Sequence, residues 1–186
     1  MIDALRSGMC DVSFNYVSCD ERAVDAEQAD AMKPGEELRY LILAAQREGN
    51  RRLARALRPL EVTPSQAEVL SLLADRQPLT LSGLGELLVC ESGTNPSRLV
   101  DRLVRAGLVL RVEDAQDRRH VELTLTSAGR LAATEIADIE KDVHRWIEAA
   151  AHGHDLEAVN AFLRDLVADQ PSGRAVARRV ESAAAL

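Results

Sequence analysis

The stretch 92–126, SGTNPSRLVDRLVRAGLVLRVEDAQDRRHVELTLT, decides how this chain folds. Its first half puts Leu99, Leu103 and Val104 on one side of a short helix. Ser92, Thr94, Asn95, Ser97, Arg98 and Arg102 fall on a polar side. Hydroxyl, amide and guanidinium side chains are the groups that bond phosphates and base edges. Gly107 supplies the stop, since glycine takes the left-handed conformation that ends helices. Two runs follow, 108–113 and 120–126, and the second alternates Val121, Leu123 and Leu125 against Glu122, Thr124 and Thr126. A period of two belongs to a half-buried hairpin strand. The loop 114–119 between the runs ends in Arg118-Arg119. A polar helix followed by an arginine-tipped hairpin predicts a winged helix-turn-helix.

The residues just upstream supply the rest of that unit. Thr63 reads as an N-cap, Pro64 as the first helical residue and Gln66 as the partner that completes a capping box. Val69, Leu70, Leu72 and Leu73 bury this helix, and Gln77-Pro78 ends it. Thr80 caps a third helix, 81–89, with Leu84, Leu87 and Leu88 inward. A short turn, 90–93, joins it to the polar helix, and two short helices with a tight joint make a helix-turn-helix. Pro96 is tolerated only in a first helical turn, so the polar helix is expected to begin near Thr94, unless its first turn is irregular.

Long amphipathic helices flank this lobe. Residues 36–58 keep apolar positions 38, 42, 45, 53, 56, 57 and 60 in a helical period. Arg47, Arg51, Arg55 and Arg58 form a stripe along it, with Arg52 alongside. Such a stripe serves as a solvated face, or meets DNA backbone, a partner helix or an anionic ligand. After the hairpin, a helix from 127 to about 150 carries apolar positions 136, 139, 143, 146/147 and 150 at near-heptad spacing. Gly153 breaks it, and 155–168 aligns Leu156, Val159, Leu163 and Leu166. Terminal helices beyond what a winged helix needs suggest an oligomerisation layer. The expected order is an acidic, flexible extension at 1–33 and a first dimerisation helix at 34–60. The winged lobe follows at 61–129, C-terminal dimerisation helices at 130–170 and a tail at 171–186.

Composition agrees with a globular, mainly α protein. The chain has 186 residues, enough for one domain with an extension, and 46% hydrophobic content. No apolar run approaches the roughly 18 residues of a membrane span, and no basic segment with an apolar core marks a secretory signal. Cys10, Cys19 and Cys90 are odd in number and lack CxxC spacing, which fits a reducing, cytoplasmic setting. The net charge of −7 argues against DNA at first sight. Residues 1–37, however, hold nine acids against three bases, a segment charge of −6 that leaves −1 for the rest. A near-neutral body with arginines gathered on one face binds phosphate, because contact is local and salt screens the far side. Met32 stands just before the first helix and offers an alternative translation start.

The runs VTPSQAEVL, LTLSGLGELL, SRLVDRLVRAGLV and DAQDRRHVELTLTSAG, in that order and spacing, resemble the MarR family of bacterial transcriptional regulators. The resemblance covers roughly residues 38–167. Its most specific part is Asp117-x-Arg119, a short strand, then Leu125-Thr126 and Gly129. It implies a homodimer made by the first and last helices, with two winged lobes on double-stranded DNA. The polar helix would enter the major groove and Arg119 the adjacent minor groove, oriented by Asp117. Gly93 and Pro96 depart from the usual recognition helix of the family.

The same resemblance implies a ligand-responsive repressor on a pseudo-palindromic operator. Tyr40, Arg47 and Arg51 are the candidate groups for a small anionic aromatic effector, since an arginine there offers a carboxylate a charge-assisted pair. Cys19, near the first long helix where redox-sensing members carry a reactive thiol, and Cys90, beside the polar helix, are candidate redox residues. His144, His152 and His154 lie close in sequence but without a third ligand at convincing spacing, so no metal or other cofactor is expected. No nucleophile, base and acid stand on defined scaffolding, so no enzyme is expected. Two alternatives stay open: a winged-helix module that binds protein in place of DNA, and a thiol-based redox regulator.

Overall fold

A computed structural model describes residues 32–89, 95–113 and 121–183. The first helix, α1 (Pro34–Ala56), has Glu36 and Glu37 in its first turn and Arg55 in its last, as the helix dipole favours. The chain divides into two compact units within α1, between Ala44 and Ala45. In the first unit Leu38, Leu41 and Leu43 are exposed, and the Arg39 guanidinium lies 4.2 Å from the centroid of the Tyr40 ring.

The second unit holds the winged lobe. A 3-10 turn, Arg58–Leu60, leads to α2 (Pro64–Arg76). The capping box forms as expected: the Gln66 N–H donates to Thr63 Oγ1 at 3.3 Å, and the Thr63 N–H to Gln66 Oε1 at 2.9 Å. Strand β1 (Leu79–Thr80) precedes α3 (Leu81–Leu87), capped by the Thr80 side chain. Helix α4 (Pro96–Arg105), strands β2 (Val109–Glu113) and β3 (Val121–Leu125), and α5 (Ser127–Ala150) complete the lobe. The strands form one antiparallel sheet in the order β1-β3-β2, with Leu79 opposite Leu123 and Val109 opposite Leu125. The expected two-stranded wing therefore gains a short third strand. The Gln77 side chain secures this edge by accepting the Leu125 N–H at 2.7 Å.

One apolar core joins these elements. Leu57, Leu70, Leu73, Leu84, Leu103, Leu123 and Ile136 are fully buried in it, each worth about 1.5–3 kcal/mol of transfer free energy. Leu57 comes from the end of α1's run, and Ala133 and Ile136 from α5, with Ile139 packed alongside. The first half of α5 is thus part of the lobe's own core, although its near-heptad spacing suggested a dimer seam. Helix α6 (Leu156–Val167) differs, since none of its residues is buried.

Two further expectations need correction. The third helix stops at Leu87, two residues early, because Leu88 is extended and the Val89 N–H donates to the Glu68 carboxylate at 2.8 Å. The segment 171–186, expected as a tail, carries a thirteen-residue helix, α7 (Pro171–Ala183). Its Ala175 is buried, and its Arg178 and Arg179 pair with Glu86 and Glu68 of the lobe. The tail expectation assigned these arginines no partner, whereas Glu86 and Glu68 hold them.

Candidate nucleic-acid interface

Helix α4 begins one residue later than the Thr94 start. Asn95 is its N-cap, and Asn95 Oδ1 accepts the Ser97 N–H at 3.0 Å. Pro96 then takes the first helical position, where a missing N–H costs nothing. Leu99, Val100 and Leu103 are buried and fasten the helix to α2, α3 and β2. Val104 is only half-buried, so Val100 takes the central place that the sequence reading left out.

The opposite side of α4 exposes Arg98, Arg102 and Arg105, while Ser97 is half-buried. The arginines sit at i, i+4 and i+7 and so share one face. Arg105, absent from the candidate residues, was legible from that spacing. Its Nε donates to the Asp101 carbonyl at 3.2 Å.

The helix is tied to the hairpin at two places. Arg111 of β2 reaches Asp101 of α4 at 2.7 Å. No sequence signal pointed to Arg111, because the contact depends on how the sheet packs beside the helix. At the base, Thr126 Oγ1 donates to the Gly107 carbonyl at 2.8 Å and accepts the Gly129 N–H at 2.9 Å. A Cβ on Gly129 would stand 2.0 Å from the Leu108 carbonyl oxygen, so only glycine permits this approach. Gly107 turns the chain from α4 into β2 with φ +72°, as its sequence position suggested. The Thr126 and Gly129 of the wing signature thus have structural tasks.

Ser92, Thr94, Cys19, Cys90, Asp117, Arg118 and Arg119 lie outside the described residues. Tyr40 is exposed in the first unit. Arg47 and Arg51 are exposed in the second, and Arg51 pairs with Glu48 at 3.2 Å. Arg52 stacks on Trp146 of α5, 4.5 Å from the ring centroid, and so joins two helices. His152 and His154 are exposed, and among the described residues no three His, Cys, Asp or Glu side chains gather to hold a metal. Among the described residues no helix is long and apolar enough to cross a membrane.

The Glu140 carboxyl of α5 is shifted by its surroundings. Burial holds it above the ordinary carboxylate value, against the Ser71 hydroxyl and the charges of His144 and Arg179. Ser71 Oγ donates to its carboxylate at 3.3 Å.

A buried apolar side, an exposed arginine side and an attached hairpin define a winged helix-turn-helix protein of the DNA-reading class. Known proteins say which one. The MarR family model matches residues 62–121. The organic hydroperoxide resistance transcriptional regulator of Bacillus subtilis (strain 168) is 33% identical over 138 residues, 74% of this chain and 92% of that protein. A crystal structure of a MarR mutant from E. coli complexed with operator DNA has TM-score 0.62 and 25% identity, over 70% of this chain and 94% of that one. The S. aureus MepR–DNA complex shares the fold, with TM-score 0.65 and 21% identity over 75% and 99% of the two chains. The chain belongs to the MarR family, and it is a winged-helix, DNA-binding transcriptional regulator. That family is a class of regulators and not of enzymes.

Proposed function

We propose that this regulator is a homodimeric, cytoplasmic, ligand-responsive repressor that reads a pseudo-palindromic operator with α4 in the major groove. The exposed Arg98–Arg102–Arg105 face, opposite a buried apolar face, is the observation that carries this reading. Arg98 and Arg102 are the base-reading candidates, since a guanidinium bonds O6 and N7 of guanine together. Ser92, Thr94 and Ser97 contact backbone, and Arg119, steadied by Asp117 and accompanied by Arg118, enters the minor groove, where arginine reads width and potential.

The dimer is supported by apolar surface left exposed to water on α6. Val159, Phe162 and Leu166 are 45%, 45% and 56% exposed along α6, and a two-fold partner would bury such a face. The guanidinium groups of Arg47 and Arg51, both exposed in the second unit, offer an anionic aromatic effector a charge-assisted pair. The name of the B. subtilis relative favours a second reading of the switch, in which an organic hydroperoxide oxidises the Cys19 or Cys90 thiol.

A random-duplex selection with purified protein tests the whole reading. An inverted-repeat motif, with half-sites about one helical turn apart, is expected. Arg98→Ala should blur specific base pairs, and Arg119→Ala should weaken binding across sequences. Recovery of no motif, together with a flat salt dependence, would favour a protein-interaction module. Titrating the protein–DNA complex with benzoic acids and with an organic hydroperoxide separates the two switches.

A further inference from the structure

Helix α7 returns over the helix-turn-helix, and two consecutive arginines at its centre reach different helices. Arg178 Nη1 lies 2.7 Å from the Glu86 carboxylate of α3. Arg179 Nη2 lies 2.6 Å from the Glu68 carboxylate of α2. Arg76 of α2 donates back to the Arg179 carbonyl at 3.3 Å. The corner that sends α7 this way is tight, because a Cβ on Gly173 would stand 1.9 Å from the Val167 carbonyl oxygen.

Glu68 is where this contact meets the DNA-reading end. The Oε1 atom that pairs with Arg179 also accepts the Val89 N–H at 2.8 Å. That bond holds the chain just beyond α3, at the last described residue before α4. The Glu68 side chain is 14% exposed and Arg179 33%, against 58% and 45% for Glu86 and Arg178. The inner pair is therefore the less screened and the more directional.

We propose that α7 is an intrachain brace that sets the entry to the recognition helix. Arg179 is its positioning residue, acting on α4 through Glu68 and the Val89 amide. The proposal rests on the reading of α4 as the helix that enters the groove. Arg179 orders the Glu68 carboxylate, and the carboxylate holds the Val89 N–H. With α4 entered in one direction, its arginines meet the groove without a search among orientations, which lowers the ordering cost of binding.

The test uses the full-length chain and a duplex selected by the wild-type protein. Its variants are Arg179→Ala, Arg179→Lys, the surface control Glu181→Gln and Arg98→Ala. Arg179→Ala is expected to speed hydrogen exchange at the Val89 amide by about tenfold and to weaken duplex affinity roughly three- to tenfold. The slope of affinity against salt should not change, because no phosphate contact is lost. Arg179→Lys should recover most of the affinity, and Glu181→Gln should match wild type. Wild-type affinity in Arg179→Ala overturns the brace. So does a flatter salt slope, which would make Arg179 a DNA contact. A loss that Lys does not recover, and that tracks a lower unfolding midpoint, reduces α7 to general stabilisation and also overturns it. If Arg98→Ala loses specificity while Arg179→Ala binds normally, the reading of α4 stands and only the brace falls. If Arg98→Ala binds with the same motif and affinity, the α4 reading falls and the brace goes with it.

Discussion

Arg111 of the first wing strand pairs with Asp101 of the recognition helix at 2.7 Å, so the wing and the reading helix share a direct electrostatic tie. Both side chains are well exposed, and the pair contributes at most about 1 kcal/mol to stability. Its value lies in fixing one element against the other. Arg111→Gln should leave the unfolding midpoint nearly unchanged and weaken operator affinity a few-fold, roughly 1 kcal/mol. Asp101→Asn should do the same, with the double variant no worse than either single one. A salt slope flatter by about 0.9 in Arg111→Gln would mean that Arg111 touches phosphate instead.

Asn95 is engaged before any DNA arrives. Its Oδ1 caps α4 by accepting the Ser97 N–H, and a bidentate adenine contact needs that same oxygen. Asn95→Ala should cost about 1 kcal/mol of stability, whereas Asn95→Ser, an equally good cap, should cost little. Selection with Asn95→Ser should return the wild-type motif. Loss of a specified base pair from the selected motif would assign Asn95 to base readout.

The base of the wing allows no side chain at residue 129. Gly129→Ala drives a methyl into the Leu108 carbonyl and should destabilise by roughly 2–4 kcal/mol in urea titration. Thr126→Val keeps the shape but loses the bonds to Gly107 and Gly129, for a cost of about 1–2 kcal/mol. A Gly129→Ala protein with the wild-type urea midpoint would show that the approach relaxes freely.

Glu140 predicts a pH effect of definite sign. Burial raises its carboxyl above the ordinary value, so the folded chain holds that proton more tightly than the unfolded chain does. Its contribution to stability is complete below the ordinary carboxylate range and is lost as pH rises through the raised value. The neutral Glu140→Gln should match wild type at acid pH and be the more stable protein near neutrality. Ser71 and Asp75 of α2, His144 of α5 and Arg179 face this carboxylate. Thermal unfolding across pH 3–8 measures the effect, and a Gln variant that is less stable at neutral pH would mean that the Arg179 and His144 attractions dominate.

Local rules made most of the lobe legible. The Thr63–Gln66 capping box, the Thr80 cap, the Gly107 stop and the Leu123–Leu125 alternation each rest on bonds that span a few residues. Such bonds can be read from spacing alone. Helix periodicity also exposed the arginine face of α4 and, followed one turn further, would have found Arg105.

What spacing could not decide was which partner a face meets. Ile136 on α5 has the same period whether it fills its own core or a dimer seam, and the tertiary structure gives it to the core. Arg178 and Arg179, in a segment expected as a tail, find Glu86 and Glu68, 92 and 111 residues earlier, once α7 folds back. Arg111 meets Asp101, and Val89 leaves the helical pattern for Glu68, by the same kind of distant contact. Sequence alone located most of the helices and the two wing strands, because caps, stops and periods are short-range, but it did not foresee β1 or α7. Only the tertiary structure decided which faces are covered and which charges are paired, because those contacts join residues far apart along the chain.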